Sequence, residues 1–550
     1  MPPRWSIYGC AALVVTAVLA PLARAGYVLR YDMVFVPRQS LTWDLIAPSG
    51  VLPRAVPQDA LVGLSALIAP GWLAQRLVLA GLLAAAAIGA GRLVPARRGL
   101  TRVVAAIGYA WTPFLAERLL IGQWGLLLCY AALPWLVRAA LDAGRGRAGA
   151  GARVVLAAAC ASITPTGGII ALATTLVFAR RRAPVVSLAV AALNAPWLLV
   201  AAGSATPATS SPDAVASFAA RAENWGGVLV ALAGTGGIWN AGAVPASRTG
   251  PLVPLITLGL LVAAGFGFGR LRRRWPDGAA TRLARLAAGS LLLAAWGALP
   301  GTAGLLRWAV VAVPGAGLFR DGQKFLVPYA LGLILCLALA AERIAERLPA
   351  APGRLVLAGF ALLPVVALPD LAWGAGGKLR PVSYPADWAS VAGVVRAEPG
   401  PVVSLPMSAY RSYSWNPGPV VYDPASRYLP AEVIADDRLR IVLGATTRTI
   451  RGESETAAAV RARVEAGGPA ADERVRWVLV QRDAGGPVPV AALTGLVPVH
   501  LGPALELYRN PGYRVPAGRV PLLGLAGYLL AGSVVAIAGW RRFGSRRENR

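Results

Sequence analysis

The stretch Trp5-Ser6-Ile7-Tyr8-Gly9-Cys10-Ala11-Ala12-Leu13-Val14-Val15-Thr16-Ala17-Val18-Leu19-Ala20-Pro21-Leu22-Ala23-Arg24-Ala25 is apolar almost throughout, and a polar, proline-rich segment from Tyr27 to Gln58 follows it. A membrane crossing needs about 20 apolar residues, so this pair reads as one span and the loop beyond it. Met1 to Arg4 is short and basic. Basic flanks stay on the cytoplasmic side, so the chain after Gly26 is expected outside. Ala23-Arg24-Ala25 also has the form of a signal-peptidase site, and cleavage there is the alternative to an uncleaved first span.

The pattern recurs outward from this crossing. Gly71 to Val94 returns to Arg92, Arg97, Arg98 and Arg102; Val103 to Leu120 goes out; Gly125 to Leu141 returns to Arg145, Arg147 and Arg153. Val154 to Ala179 is apolar but broken by Thr164-Pro165-Thr166-Gly167-Gly168, and Arg180-Arg181-Arg182 follows it. A single crossing would place one arginine cluster outside. Two short helices meeting near the outer face are therefore expected, with the break buried in protein. Val185 to Ala202 goes out, Pro251 to Gly269 returns to Arg270, Arg272, Arg273 and Arg274, and Arg285 to Ala298 goes out. Phe325 to Ala341 returns to Arg343 and Arg347, Leu355 to Leu371 goes out, and Leu522 to Trp540 returns to the basic tail Arg541 to Arg550. That makes about twelve apolar helices, with every large arginine cluster on one side and both termini expected in the cytoplasm.

Composition agrees. Of 550 residues, 56% are hydrophobic and 15% charged, where a soluble domain carries about 25% charged residues. A soluble enzyme, a disordered chain and a secreted disulfide scaffold are excluded. The net charge of +28 comes almost wholly from arginine; Lys324 and Lys378 are the only lysines. The arginines sit between apolar runs, which suits topology rather than nucleic acid. The four cysteines, Cys10, Cys129, Cys160 and Cys336, lie in apolar runs without metal-ligand spacing, and His500 is the only histidine. Acid–base chemistry therefore falls to Asp, Glu or Tyr.

One segment, Gly374 to Ala517, is more polar and alternates helix-like and strand-like pieces. Ala386 to Ala397 and Ser454 to Ala466 pattern as helices; Val402 to Pro406, Arg476 to Val480 and Leu505 to Tyr508 pattern as strands. The expected fold is an all-α polytopic membrane protein with a small extracytoplasmic α/β domain before the last span. Its parts are residues 1–373, spanning the membrane and carrying the outer loop 27–58, then the domain 374–517, then the last helix and tail 518–550.

Four places can carry chemistry. In the first loop, Asp32 lies near the end of the first span, where a carboxylate can serve as general base. Arg30 and Arg38 flank it, and a guanidinium matches phosphate oxygens with paired donors; an interfacial Asp–Arg pair is the plainer alternative. Glu117 and Arg118 sit at or just inside the outer face, where ionisable residues mark a site or form a structural ion pair. The glycine-rich turn Pro314 to Lys324 places Arg320 and Lys324 ahead of a span, cradling a phosphate or merely snorkelling to the interface. Tyr413, Trp415, Tyr422 and Asp423 mix aromatics with polar groups, which suits sugar faces and equally suits docking on a membrane surface.

A first span, an outer loop with an acidic residue near the membrane, many further spans and an outer domain before the last one together resemble the GT-C superfamily of integral membrane glycosyltransferases. The stretch Glu117-Arg118-Leu119-Leu120-Ile121-Gly122-Gln123-Trp124 and the Ala/Arg/Gly-rich composition look like actinobacterial membrane proteins of this layout. The nearest members use polyprenyl-phosphate sugars in the cell envelope. The resemblance implies sugar transfer from such a lipid to an envelope glycan or lipid acceptor at the outer face. It implies Asp32 as the base, with Asp44 or Glu117 as substitutes, and no cofactor beyond a weakly held divalent metal. The Asp-Asp, Asp-Glu or Glu-Asp pair frequent in that loop is missing, because Met33 follows Asp32. A non-catalytic scaffold, or a lipid or polysaccharide transporter, is the competing class.

Overall fold

The computed structural model describes residues 5–547 apart from 49, 205, 207, 276, 444–445 and 516–519. The basic start at residues 1–4, the domain edge expected at 517 and 518, and the end of the tail at 548–550 lie outside the described residues.

A bilayer core offers no partner to a backbone N–H, so long apolar stretches close their hydrogen bonds within helices. Among the described residues seven helices are long and apolar enough to cross a membrane: Ser6–Ala23, Gly71–Leu93, Trp124–Gly144, Val253–Arg274, Gly322–Ala345, Ala350–Ala367 and Leu522–Arg542. Two bent pairs raise this to nine if each is one span. They are Pro165–Ala192 with Ala195–Gly203, at 59°, and Ala279–Ala295 with Pro300–Ala312, at 82°. This measure counts long helices and bent pairs alone, and it leaves the expected count of about twelve apolar helices unconfirmed, because several apolar runs are divided into short helices.

The divisions have local causes. Thr164 accepts a hydrogen bond from Gly167 N, and Pro165 opens the Pro165–Ala179 helix, so the run from Val154 breaks where its Thr-Pro pair stands. Thr112 and Pro113 do the same between Gly99–Ala110 and Pro113–Leu120. The run from Val185 to Ala202, expected whole, breaks at Asn194 ahead of Pro196. The helix Pro300–Ala312 was not anticipated.

Trp124–Gly144 and Gly322–Ala345 form the centre, with 83% and 89% of their apolar windows buried, whereas Leu522–Arg542, at 17%, lies on the periphery. Close backbone approach holds the bundle together. A Cβ at Gly267 would stand 1.8 Å from the carbonyl oxygen of Cys336 on the neighbouring helix. At one end of the bundle Glu342 is fully buried, accepts hydrogen bonds from Arg97 N (3.1 Å) and Arg98 N (3.4 Å), and pairs with Arg274 at 2.5 Å.

The polar segment before the last helix folds around a five-stranded mixed sheet. Its spatial order is Val433–Ile434, Val402–Leu405, Trp477–Gln481, Leu505–Arg509, Val497–Leu501. The first three strands run parallel, and the last two pair antiparallel. Trp477–Gln481 is buried on every residue, as a central strand must be. Helices Ala386–Ala397 and Glu455–Glu465 fall where the sequence pattern puts them. Two hairpins were not foreseen: Tyr410–Tyr413 with Asn416–Tyr422, and Leu439–Leu443 with Thr446–Ile450.

The packing makes a direct prediction. Gly267→Ala forces a methyl into backbone, an overpacking that costs about 1–3 kcal/mol. It should lower the thermal midpoint in detergent, while Gly265→Ala, which meets nothing within 4 Å, should not. Equal midpoints for the two variants would contradict the helix contact.

Candidate functional site

The first loop is held from two sides. On one side the chain turns at Gly122, whose φ of +83° and missing Cβ let the loop approach; a Cβ there would lie 2.3 Å from Met33 N and 2.6 Å from the Arg30 carbonyl. Asp32 N donates to the Ile121 carbonyl at 3.2 Å, and Arg30 Nε donates to the Leu120 carbonyl at 2.6 Å. On the other side Tyr31 N donates to the Val420 carbonyl (2.9 Å) and Tyr422 N donates to the Tyr31 carbonyl (2.8 Å). Asp32 thus lies at the seam between the helical body and the hairpin Tyr410–Tyr422.

Each of its carboxylate oxygens has an anchor. Oδ1 accepts from the Tyr410 hydroxyl at 2.5 Å, and Oδ2 accepts from Gln123 Nε2 at 3.0 Å. Burial, and then the charge of Asp32, raise the Tyr410 phenol well above the usual tyrosine range, so it stays a donor. Gln123 is oriented in turn by Arg118, whose Nη1 donates to Gln123 Oε1 at 2.7 Å.

Arg118 is the hub. It is fully buried and pairs with Asp321 through both terminal nitrogens, at 2.9 and 2.8 Å, while its Nε donates to Gln323 Oε1 at 2.7 Å. Gln323 then donates to Glu117 Oε2 at 2.9 Å. One turn from a helix end, these contacts tie together residues more than 200 positions apart in the chain.

Lys324 Nζ stands 3.6 Å from Asp321 Oδ2, on a side chain 27% exposed, and its charge interacts with those of Asp321, Arg118, Arg320 and Asp32. Asp321 is already engaged by Arg118, so one carboxylate serves two cations and a net positive charge remains beside Asp32. The next residue, Phe325, lines an apolar groove of about 810 Å³ on the flank of the bundle, together with Ile169, Ile170, Leu286, Leu293 and Trp296.

Several expected site residues are placed elsewhere or otherwise used. Arg30, expected to meet phosphate, is buried, and its Nε and Nη2 donate to the Leu120 and Gly242 carbonyls. Arg118, also expected to meet phosphate, is enclosed by protein partners. Glu117 is 0% exposed behind Gln323, with its second oxygen facing Glu223 around Gly236, so it cannot reach an acceptor hydroxyl. Arg38 is exposed and makes no hydrogen bond or ion pair among the described residues. Arg320 donates to Ser210 Oγ at 2.8 Å and covers the Phe218 ring at 4.8 Å. Asp44, half-buried, belongs to a separate carboxyl group: burial, then Glu432 and Asp59, push it up to about 6.

The aromatic stretch divides as well. Tyr413 donates to Gln481 Oε1 at 2.6 Å in the interior of the sheet domain, stacked at 4.7 Å on the half-buried Trp415. Asp423 is buried on Arg411, Ser404 and Gln481. Neither can touch a sugar. Tyr422 keeps 36% exposure and lies edge-on to Tyr410. Sequence reasoning did not single out Tyr410, Gln123, Asp321 or Gln323, although all four stand in the stretches it drew its candidates from. No group of three or more His, Cys, Asp or Glu that could hold a metal occurs among the described residues.

No family model matches the chain, and no curated protein matches it. Among solved structures, the arabinofuranosyltransferase AftD from Mycobacteria is similar at 18% identity and a TM-score of 0.56, covering 92% of this chain and 40% of that one. A structure of an AftD mutant gives 18% identity and a TM-score of 0.55, covering 93% and 42%. This chain therefore spans about two-fifths of AftD's length. At that identity the likeness is one of fold alone, and the helices long and apolar enough to cross a membrane make the chain a multi-pass membrane protein.

The hub generates a stability prediction. Removing one partner of a buried ion pair costs about 3–5 kcal/mol. Asp321→Ala should therefore lower the thermal midpoint in detergent far more than Asp213→Ala, because Asp213 makes no ion pair among the described residues. A difference of less than a degree would contradict the hub.

Proposed function

We propose that the protein is a membrane glycosyltransferase that moves a sugar from a polyprenyl-phosphate donor to a cell-envelope glycan or lipid acceptor at the outer face. The features that support this reading are an anchored carboxylate, Asp32, a partly exposed cation, Lys324, whose charge interacts with it, and an apolar groove lined by the next residue, Phe325. The first can take a proton, the second can neutralise a phosphate, and the third can take an isoprenoid chain. The similarity of fold to an arabinofuranosyltransferase supports the same class.

In this reading the polyprenyl tail lies in the groove and the phosphate rests on Lys324. The acceptor hydroxyl gives its proton to Asp32 while its oxygen attacks the anomeric carbon. The bond from that carbon to the phosphate oxygen breaks, and the leaving polyprenyl phosphate carries its charge toward Lys324. Arg118 and Gln123 orient Asp32 without touching substrate. No step uses a metal.

Membrane sidedness follows the arginine asymmetry: both termini and the cluster Arg180–Arg182 are cytoplasmic, and the sheet domain is outside. Val490 is 87% exposed and Arg181 is exposed. An impermeant thiol reagent on intact cells should label Val490→Cys and should label Arg181→Cys only after permeabilisation. Labelling of both in intact cells would refute the topology.

Transfer is tested with purified protein and labelled polyprenyl-phosphate sugars. Asp32→Asn keeps the shape of the side chain but removes the base, and its amide nitrogen can no longer accept from one of the two anchors; loss of the base typically costs about a hundredfold or more in rate. Lys324→Gln should raise the donor KM. An Asp32→Asn rate equal to wild type would remove Asp32 from the reaction, and a wild type inactive with every such donor would defeat the proposal.

A further inference from the structure

Tyr410 belongs to a different part of the chain from the carboxylate it touches. Its hydroxyl donates to Asp32 Oδ1 at 2.5 Å across 378 residues of sequence. The hairpin that carries it is fixed to the first loop by other contacts. Tyr31 and Val421 form a parallel bridge, Asn416 Nδ2 donates to the Leu29 carbonyl at 3.3 Å, and just beyond the hairpin and the loop Arg427 Nε pairs with Asp59 at 3.1 Å. The core of the sheet domain is held by its own buried network, in which Arg411, Asp423, Ser404 and Gln481 bond one another. The Tyr410 hydroxyl belongs to neither set; its hydrogen bond goes to the carboxylate alone.

We infer that Tyr410 is a positioning residue for the transfer reaction, so that the C-terminal sheet domain forms one wall of the site and orients the base. This rests on the glycosyltransferase reading above. A carboxylate oxygen accepts about two hydrogen bonds. One donor on each oxygen, Tyr410 from the hairpin and Gln123 from the helical body, fixes the plane of the group. Each oxygen keeps a lone pair, and one of these receives the acceptor proton. Without Tyr410 the carboxylate rotates about its remaining anchor, and the bound acceptor meets the base out of line.

The ring of Tyr410 packs edge-on against Tyr422 at 5.7 Å, so Tyr410→Phe removes the hydroxyl and keeps the packing. A hydrogen bond to a charged group is worth roughly a tenfold to hundredfold factor. The expected result with full-length protein and a polyprenyl-phosphate sugar is a kcat lower by that factor, with donor KM and thermal midpoint unchanged. Combined with Asp32→Asn, the second change should cost nothing further, because the hydroxyl acts through the carboxylate. A kcat within twofold of wild type, a loss confined to KM, or a loss that tracks a fall in thermal midpoint would overturn the inference and leave the glycosyltransferase reading standing. A wild type without transfer would overturn both.

Discussion

A guanidinium buried in a membrane protein must find its partners in protein, and Arg118 places four of its five N–H groups on side-chain oxygens. Asp321 takes both terminal nitrogens, Gln323 takes Nε, and Gln123 takes the remaining bond of Nη1. Desolvating such a pair is expensive, and it persists only with good geometry and saturated hydrogen bonding. That requirement fixes three separate segments against one another: the Pro113–Leu120 helix, the turn at Gly122, and the start of the central helix Gly322–Ala345. The rest of the site inherits its geometry from this constraint. Gln123, held by Arg118, aims its amide at Asp32. Asp321, held by Arg118, leaves Lys324 under-neutralised beside it.

The second constraint is steric. A side chain at Gly122 would collide with the backbone of Arg30 and Met33, so the first loop can sit on the turn only because glycine is there. The hairpin Tyr410–Tyr422 then closes over the loop from the opposite side. The carboxylate of Asp32 is thereby shared between the helical body and the sheet domain. A carboxylate at a seam of this kind has its orientation set by two bodies at once.

Much of the fold was legible because membrane crossing imposes long apolar runs and arginine asymmetry on the sequence. The break at Thr164-Pro165 and the strands at Val402 and Trp477 could be read from local chemistry, since a proline, a capping hydroxyl or an apolar run acts within a few residues. The run from Val185 misled because Asn194 and Pro196 break a helix that hydrophobicity alone makes continuous. The site was legible only in its one-dimensional part. Asp32 and Lys324 announce themselves by type and position. Arg30, Asp423 and Tyr413 announce themselves equally, yet they are consumed by backbone carbonyls or buried in the sheet domain. Whether a polar residue faces substrate or protein depends on partners hundreds of residues away, and a single sequence holds no trace of them. Tyr410 is the extreme case, silent until the hairpin is seen against the first loop.

The central claim is that Asp32, Lys324 and the groove at Phe325 form one site. The most direct measurement is a cryo-EM structure of the full chain with a polyprenyl phosphate bound. The account predicts phosphate density within about 3 Å of Lys324 Nζ, on the side facing Asp32, with the isoprenoid chain in the groove between Ile170 and Leu286. Phosphate density on Arg38 or another distant arginine, or an isoprenoid chain lying outside that groove, would contradict it.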